Sequence, residues 1–388
     1  MRALHLVKTS VGATWALRQM RELVKLGVEV HVALPPNGHL EPHYQRSGVV
    51  VHRLQTDFPI GKPWLLRERL GELRALVSST QPDIIHSHFV GTTLTSRLAL
   101  GKEKGPPRVF QVPGPLHLEH PFFRKLDMLT AGSKDTWIAS CQWTRDCYLN
   151  MGVSKSRVFL SYYGVDLDHF APGARGKLRH ELGLGDKTKV IGMVAYVYAP
   201  KSYLGQKRGL KGHEDLIDAV AICRRRLPDL KTVFIGGAWN GAIAYERKVR
   251  EYAMKKCGEQ AVFLGTRSDV AQLYPDFDIA VHPSHSENVG GAVESLLSRV
   301  PTIATNVGGF PDVVIPGKTG WLVPPRAPEA LAETLVEALG DAAHARELAS
   351  AGREKVSELL DIRQNAREIK KAYETILFGA QVQRHTRR

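Results

Sequence analysis

HPSHSENVGGAVESLLSRVPTIATNVGGFPD, from His282 to Asp312, decides how the rest of the chain is read. Just before it runs Ile279-Ala280-Val281, an apolar run short enough to be a buried strand. A polar loop leads to Gly290-Gly291. Beyond it, Val293, Leu296, Leu297 and Val300 fall at the spacing that lines one face of a helix. Pro301 stops that helix, and Thr302 to Thr305 read as the next strand. The order is therefore strand, glycine loop, helix, strand. The first N–H groups of a helix have no partner within it, and the helix dipole is positive there. Glycines let an anion approach that backbone closely, so the loop is suited to hold a diphosphate. Glu294, about one turn in, can accept hydrogen bonds from ribose or sugar hydroxyls. On its own, a Gly-Gly before a helix would be no more than an ordinary crossover turn.

Working outward, the same alternation fills the chain. Ala3 to Val7, Val28 to Leu34, Val49 to Leu54, Ile84 to His88, Arg108 to Val112 and Trp137 to Ser140 read as strands. Helices are expected at Ala13 to Leu26, Trp64 to Ser78 and Gln142 to Asn150. The first βαβ unit lacks GxGxxG, with Gly12 alone in its loop, so the dinucleotide fingerprint is absent. After a Gly-, Pro- and Lys/Arg-rich linker at Ala171 to Lys189, the pattern resumes at Val190 to Ala195. Helices at Pro328 to Leu339, Ala343 to Leu359 and Ile362 to Leu377 close the chain. The expected class is α/β, two Rossmann-like doubly wound parallel-sheet domains, with 1–170 and 171–360 as domains and 361–388 as a returning helix with a basic tail.

Ser284 through Pro311 resembles the donor site of the retaining family 4 glycosyltransferases, whose two domains face across a cleft in the GT-B fold. The residues that carry the resemblance are Pro283-Ser284, Glu287, Gly290-Gly291, Glu294 and Asn306-Val307-Gly308-Gly309-Phe310-Pro311. Tyr163-Gly164-Val165-Asp166, followed by Phe170 and Pro172, is similar to the family's segment closing the first domain. Lys211-Gly212 before a helix matches a lysine that meets the donor diphosphate. There are departures. Six residues separate Glu287 from Glu294 where the family usually has seven, so either Glu287 reaches the sugar through a shortened loop or Ser286 holds its place. The usual arginine after the first strand of the second domain is absent; Tyr196 occupies that region, and Arg208 or Lys207 would supply the charge. Where many members place a histidine after the fifth strand, Pro113 or Gly114 stands, with His117 and then His120 as substitutes.

The resemblance implies a retaining glycosyltransferase using a UDP- or GDP-linked donor, in glycan, polysaccharide or glycolipid synthesis. The implied catalytic residues are His117, His120, Lys211 and Glu287. The implied donor-binding residues are Gly12, Arg208, Lys211, Gly265, Arg267, Ser286, Glu287, Asn288, Gly290, Gly291 and Glu294. No cofactor or metal is implied. Asp166-Leu167-Asp168 and Asp276-Phe277-Asp278 are formally DxD motifs but read as structural. The partners are the donor and a carbohydrate, glycolipid or small-molecule acceptor. The alternatives are a sugar-nucleotide epimerase on the same fold, which would convert donor with no acceptor present, and a non-catalytic sugar-nucleotide-binding protein.

Composition sets outer limits. The chain has 388 residues, is 43% hydrophobic and 24% charged, and carries a net charge of +14. Such a balance is that of a globular protein attracted to something acidic. Aromatics are not interleaved with a basic stripe, which argues against a single-strand nucleic-acid binder and leaves an anionic membrane surface as the favoured acidic partner. Arg384-His385-Thr386-Arg387-Arg388 concentrates charge at the end. The N-terminus shows no signal-peptide core, so a cytoplasmic location is expected, peripheral on the inner face of the cell membrane where the basic tail meets lipid. Cys141, Cys147, Cys223 and Cys257 show no CxxC or zinc spacing.

Overall fold

The computed structural model describes residues 1–202 and 205–385. Tyr203 and Leu204 of the insertion, and Thr386 to Arg388 of the basic tail, lie outside the described residues. The chain divides into two units: Met1–Val165 with Leu360–Arg388, and Asp166–Leu359.

The first unit is a seven-stranded parallel sheet in the order β3-β2-β1-β4-β5-β6-β7. Its elements are β1 (Arg2–Leu6), α1 (Thr14–Lys25), β2 (Glu29–Leu34), α2 (Glu41–Arg46), β3 (Val50–Arg53), α3 (Leu66–Thr80), β4 (Ile84–Ser87), α4 (Val90–Leu100), β5 (Arg108–Gln111), α5 (Leu116–Glu119), α6 (Pro121–Thr130), β6 (Asp135–Ala139), α7 (Gln142–Asn150) and β7 (Val158–Leu160). β1 pairs with β2 on one side and β4 on the other, with His5 opposite His86.

The second unit holds α8 (Lys177–Glu181), β8 (Lys189–Val194), α9 (His213–Cys223), β9 (Leu230–Ile235), α10 (Ile243–Cys257), β10 (Ala261–Gly265), α11 (Val270–Leu273), β11 (Ile279–His282), α12 (Gly290–Leu297), β12 (Thr302–Thr305), α13 (Phe310–Val313), β13 (Trp321–Val323), α14 (Pro328–Gly340) and α15 (Ala342–Leu359). Its six strands are parallel, in the order β10-β9-β8-β11-β12-β13. The chain then returns to the first unit as α16 (Ile362–His385), whose Ala366, Ile369, Ala372 and Tyr373 join the core beneath α1.

The strands read as nearly continuous apolar runs because helices cover both faces of each sheet. β11 is buried throughout, and Val293, Leu296, Leu297 and Val300 are buried as their spacing predicts. Asp276 and Asp278 have structural partners. Asp276 accepts the backbone N–H of Gly176 at 2.6 Å and of Leu178 at 2.7 Å, at the start of α8. Asp278 accepts from Arg175 and Arg179 and from the backbone of Val190. Among the described residues no helix is long and apolar enough to cross a membrane.

Candidate functional site

In an open parallel sheet the strand order reverses at one place, and the loops leaving the strands there diverge into a crevice. In the second unit that place lies between β8 and β11. The chain leaving β11 carries Pro283 to Glu287, and Lys211 precedes α9. Gly212, at φ +75°, caps α9, and a Cβ there would lie 1.9 Å from the Pro283 carbonyl oxygen, so only glycine lets the two loops meet. Their meeting brings the Lys211 ammonium onto the Glu287 carboxylate. Burial disfavours the ammonium, but the Glu287 carboxylate outweighs it and raises the lysine's pKa. The Tyr198 ring lies 5.9 Å from the same ammonium.

The Glu287 side chain also accepts the Asn288 backbone N–H at 3.1 Å and lies against Gly290. α12 starts there. Its N-cap is Val289, with no side-chain cap, and Gly290 is exposed. The first-turn amides of α12 thus open beside the lysine. Gly291 is required by packing, since a Cβ would lie 2.9 Å from His282 Nδ1. His282 is buried, bonds Ser295 Oγ at 3.0 Å, and is held neutral by burial to a pKa of about 3. Sequence reasoning assigned it no role; its place under the glycines depends on β11 running beneath α12. Glu294, half-buried, accepts the Tyr274 hydroxyl at 3.2 Å. Ser286 and Asn288 are buried in the same loop.

Other expected residues stand with partners of their own. Arg208 pairs with Asp215 at 2.6 Å and Asp218 at 2.8 Å, and Asp215 also meets His285. Arg267, after β10, is clamped by Glu181 and Asp269. Gly265 has φ +66° and its carbonyl accepts the Gly236 N–H. Gly12 and Val11 both donate their backbone N–H groups to Thr9 Oγ1 at 3.3 Å.

His117 in the first unit is buried, its Nε2 3.3 Å from the Tyr148 hydroxyl and 3.6 Å from Asp127. Burial opposes the Asp127 charge, yet His117 and Arg97 hold its pKa down at about 2. The His117 side chain is thus anchored inward. His120 lies against Phe123.

The histidines ending β4 are also interior. His5, His86 and His88 offer ring nitrogens within 4.8 Å of one another, a spacing compatible with a metal ion. Their rings, however, are stacked, with interplanar angles of 18–30°. Five of their six ring nitrogens are already turned to one another or to the Tyr163 and Tyr373 hydroxyls. They form a hydrogen-bonded series instead, and its direction can be worked out from its end. The Tyr163 hydroxyl donates to the Gln111 carbonyl, which can only accept. His88 Nδ1–H therefore donates to Tyr163, and His5 Nδ1–H to His88 Nε2. The Tyr373 hydroxyl then donates to His5 Nε2, and His86 Nδ1–H to Tyr373.

Residues 12–169 match the family described as Glycosyltransferase Family 4, and residues 202–355 match Glycosyl transferases group 1. D-inositol 3-phosphate glycosyltransferase of Mycobacteroides abscessus is 30% identical over 188 residues, 47% of this chain and 39% of that protein. The match thus spans about two fifths of the length of this relative. Among solved structures, Anabaena Alr3699/HepE in complex with UDP superposes with a TM-score of 0.79 at 20% identity, over 97% of this chain and 100% of that one. Sucrose-phosphate synthase from Thermosynechococcus elongatus gives 0.78 at 20% identity, over 98% and 100%. Both halves of the chain match the family in order, and the fold is the GT-B fold of these solved structures: the chain belongs to the family 4 glycosyltransferases, glycosyl transferases group 1.

Proposed function

We propose that the chain is a retaining glycosyltransferase that moves a sugar from a nucleotide-sugar donor to the hydroxyl of a carbohydrate, glycolipid or small-molecule acceptor. The observation that carries this reading is the Lys211–Glu287 pair beside the uncapped start of α12 at Gly290-Gly291. A diphosphate seated there meets an ammonium and a row of backbone N–H groups. Charge on a leaving diphosphate grows as the glycosidic bond breaks, so donors fixed beforehand at that position stabilise the transition state more than the ground state. The diphosphate displaces the Glu287 carboxylate from Lys211, and Glu287 is then free to accept hydrogen bonds from sugar hydroxyls. Glu294 takes the ribose. The departing phosphate oxygen accepts the acceptor's proton, so no strong protein base is required. In this reading the charge is met by Lys211 and the α12 amides, and no cofactor or metal enters. UDP is the favoured nucleotide, because Alr3699/HepE has been solved in complex with UDP and with UDP-glucose. The protein acts in the cytoplasm, and its net charge of +14 draws it to anionic membrane surfaces.

A thermal-shift screen against UDP- and GDP-sugars, followed by product analysis in excess EDTA, tests the reading. One donor at a hundred times its Kd should add about 2.7 kcal/mol of apparent stability. Transfer should persist in EDTA. No shift with any sugar nucleotide would sink the donor assignment, and abolition of activity by EDTA would return the Asp-x-Asp motifs to consideration.

A further inference from the structure

We propose that α6 presents a docking face for an anionic lipid surface. The proposal rests on the membrane-surface part of the reading above and gives it a location distinct from the basic tail.

α6, PFFRKLDMLT, is inverted relative to an ordinary surface helix. Its one fully buried side chain is the carboxylate Asp127, held by Arg97 at 2.7 Å and by the Tyr148 hydroxyl at 2.7 Å. Met128 packs inward against the core beside it, but three other apolar residues form a stripe turned away from it. Phe122 is 63% exposed and Leu129 60% exposed, and Leu126, between them, is half-buried. These three lie four and then three residues apart, so they line one face. A helix covered only by its own unit would turn that stripe inward and its aspartate to water. Arg97 on α4 fixes the rotation: with Asp127 drawn to it, the stripe must face out.

The charge around the stripe indicates what covers it. Arg124 and Lys125 are exposed on the helix, and Asp127, already paired, is its only carboxylate. Past Leu129 the chain turns at Gly132 against the Lys102 backbone, where a Cβ would lie 2.3 Å from the Lys102 carbonyl oxygen. That contact brings in exposed Lys102 and Lys104. Two exposed carboxylates lie in the same segments, Glu103, which bonds Ser133, and Glu119 before the helix, but the cations Lys102, Lys104, Arg124 and Lys125 outnumber them. Apolar side chains with a net positive surround match a helix lying in the headgroup region of an anionic bilayer. A protein partner fits less well, since lysine is depleted in protein–protein interfaces.

Co-sedimentation of the full chain with phosphatidylcholine vesicles, with and without phosphatidylglycerol, tests this. Binding should require the anionic lipid. Phe122→Asp with Leu129→Asp should weaken it at least about tenfold, since two apolar side chains lose their burial. Should that variant fail to fold, Lys102→Glu with Lys125→Glu leaves the apolar stripe intact and should also weaken binding about tenfold or more at low salt. Absence of binding to anionic vesicles, or wild-type binding by folded variants, overturns the proposal. So does conversion of a dimer to a monomer by the first variant, which would make the face a contact between copies. The assay contains no donor or acceptor, so its failure leaves the transfer reaction standing, and loss of transfer leaves it untouched.

Discussion

The two sheets reverse their strand order in the same way, one between β1 and β4 and the other between β8 and β11, and the two places have been built to opposite ends. In the first unit the reversal is filled by the protein itself. His5, His86 and His88 stack there, Tyr163 and Tyr373 extend their hydrogen-bonded series, and Trp15 covers Tyr163 with ring centroids 4.2 Å apart. In the second unit the same position carries an ammonium, a carboxylate and an uncapped helix start. One reversal spends its polar groups on a closed hydrogen-bonded series; in the other, Lys211 and Glu287 pair beside an exposed helix start, where the proposed diphosphate would take the place of Glu287. The crevice that the topology provides is an opportunity, and side chains decide whether it becomes a core or a site.

The largest effect expected from this contrast is on turnover. Lys211→Ala should lower kcat roughly 10²- to 10³-fold, the range for removing one preorganised donor to a developing anion. Its far-ultraviolet circular dichroism should stay close to wild type, while the urea midpoint falls, because the lysine side chain is only 21% exposed and its loss leaves the Glu287 carboxylate without its ammonium. A variant that keeps wild-type kcat would place the diphosphate elsewhere.

The first unit should respond to acid instead. Burial lowers the pKa of His5 to about 3 and holds His86 and His88 well below their usual value. Unfolded histidine titrates near 6.5. These groups are therefore neutral in the folded state while the unfolded chain binds protons below about pH 6.5. Their stabilisation is present above that pH and is lost as pH falls towards 3, by up to roughly 1.4 kcal/mol per group per pH unit. His213, at about 4, and His282, at about 3, add a smaller share in the second unit. Hydrogen exchange at pH 7 and pH 5 resolves the two: amides of β1 and β4 should lose more protection than those of β11. Tyr163→Phe should cost about 1–2 kcal/mol at pH 7, since it strands the His88 donor, with little change in kcat. Equal acid sensitivity in the two sheets would show that the histidine series does not govern the first.

Much of this was legible in the sequence, and the parts that were not share a cause. The strands could be read because parallel sheets need continuous apolar runs, and α12 because its apolar residues keep a helical period. α4, VGTTLTSRLAL, offered no such period. It is buried on nearly every side, and Thr92, Thr93, Thr95 and Ser96 bond back to carbonyls three or four residues earlier, which a propensity-based reading scores against helix. Lys211 and Glu294 could be singled out because the residues that shape their surroundings, Gly212 and Gly290-Gly291, sit beside them in the chain. His117 was chosen by its position after a strand, but Asp127 and Tyr148, on α6 and α7, hold its side chain inward. Groups fixed by neighbours in sequence can be read there; groups fixed across the fold cannot.

Arg208 sits between these cases and should give a far smaller kinetic effect than Lys211. Sequence reasoning set it beside Lys211 as a second cation for the diphosphate. In the structure its guanidinium already holds two carboxylates, Asp215 and Asp218. Drawing it to a donor would break both pairs, and the gain in one contact would be offset by two abandoned charges. Arg208→Met should therefore change the donor KM by less than about threefold, while stability falls by roughly 1–3 kcal/mol because the largely buried Asp215 and Asp218 lose their shared arginine. A tenfold rise in KM with unchanged stability would reverse that account: the carboxylates would then be a resting place from which a bound diphosphate recruits the arginine, and the second unit would hold one more group in reserve for its ligand.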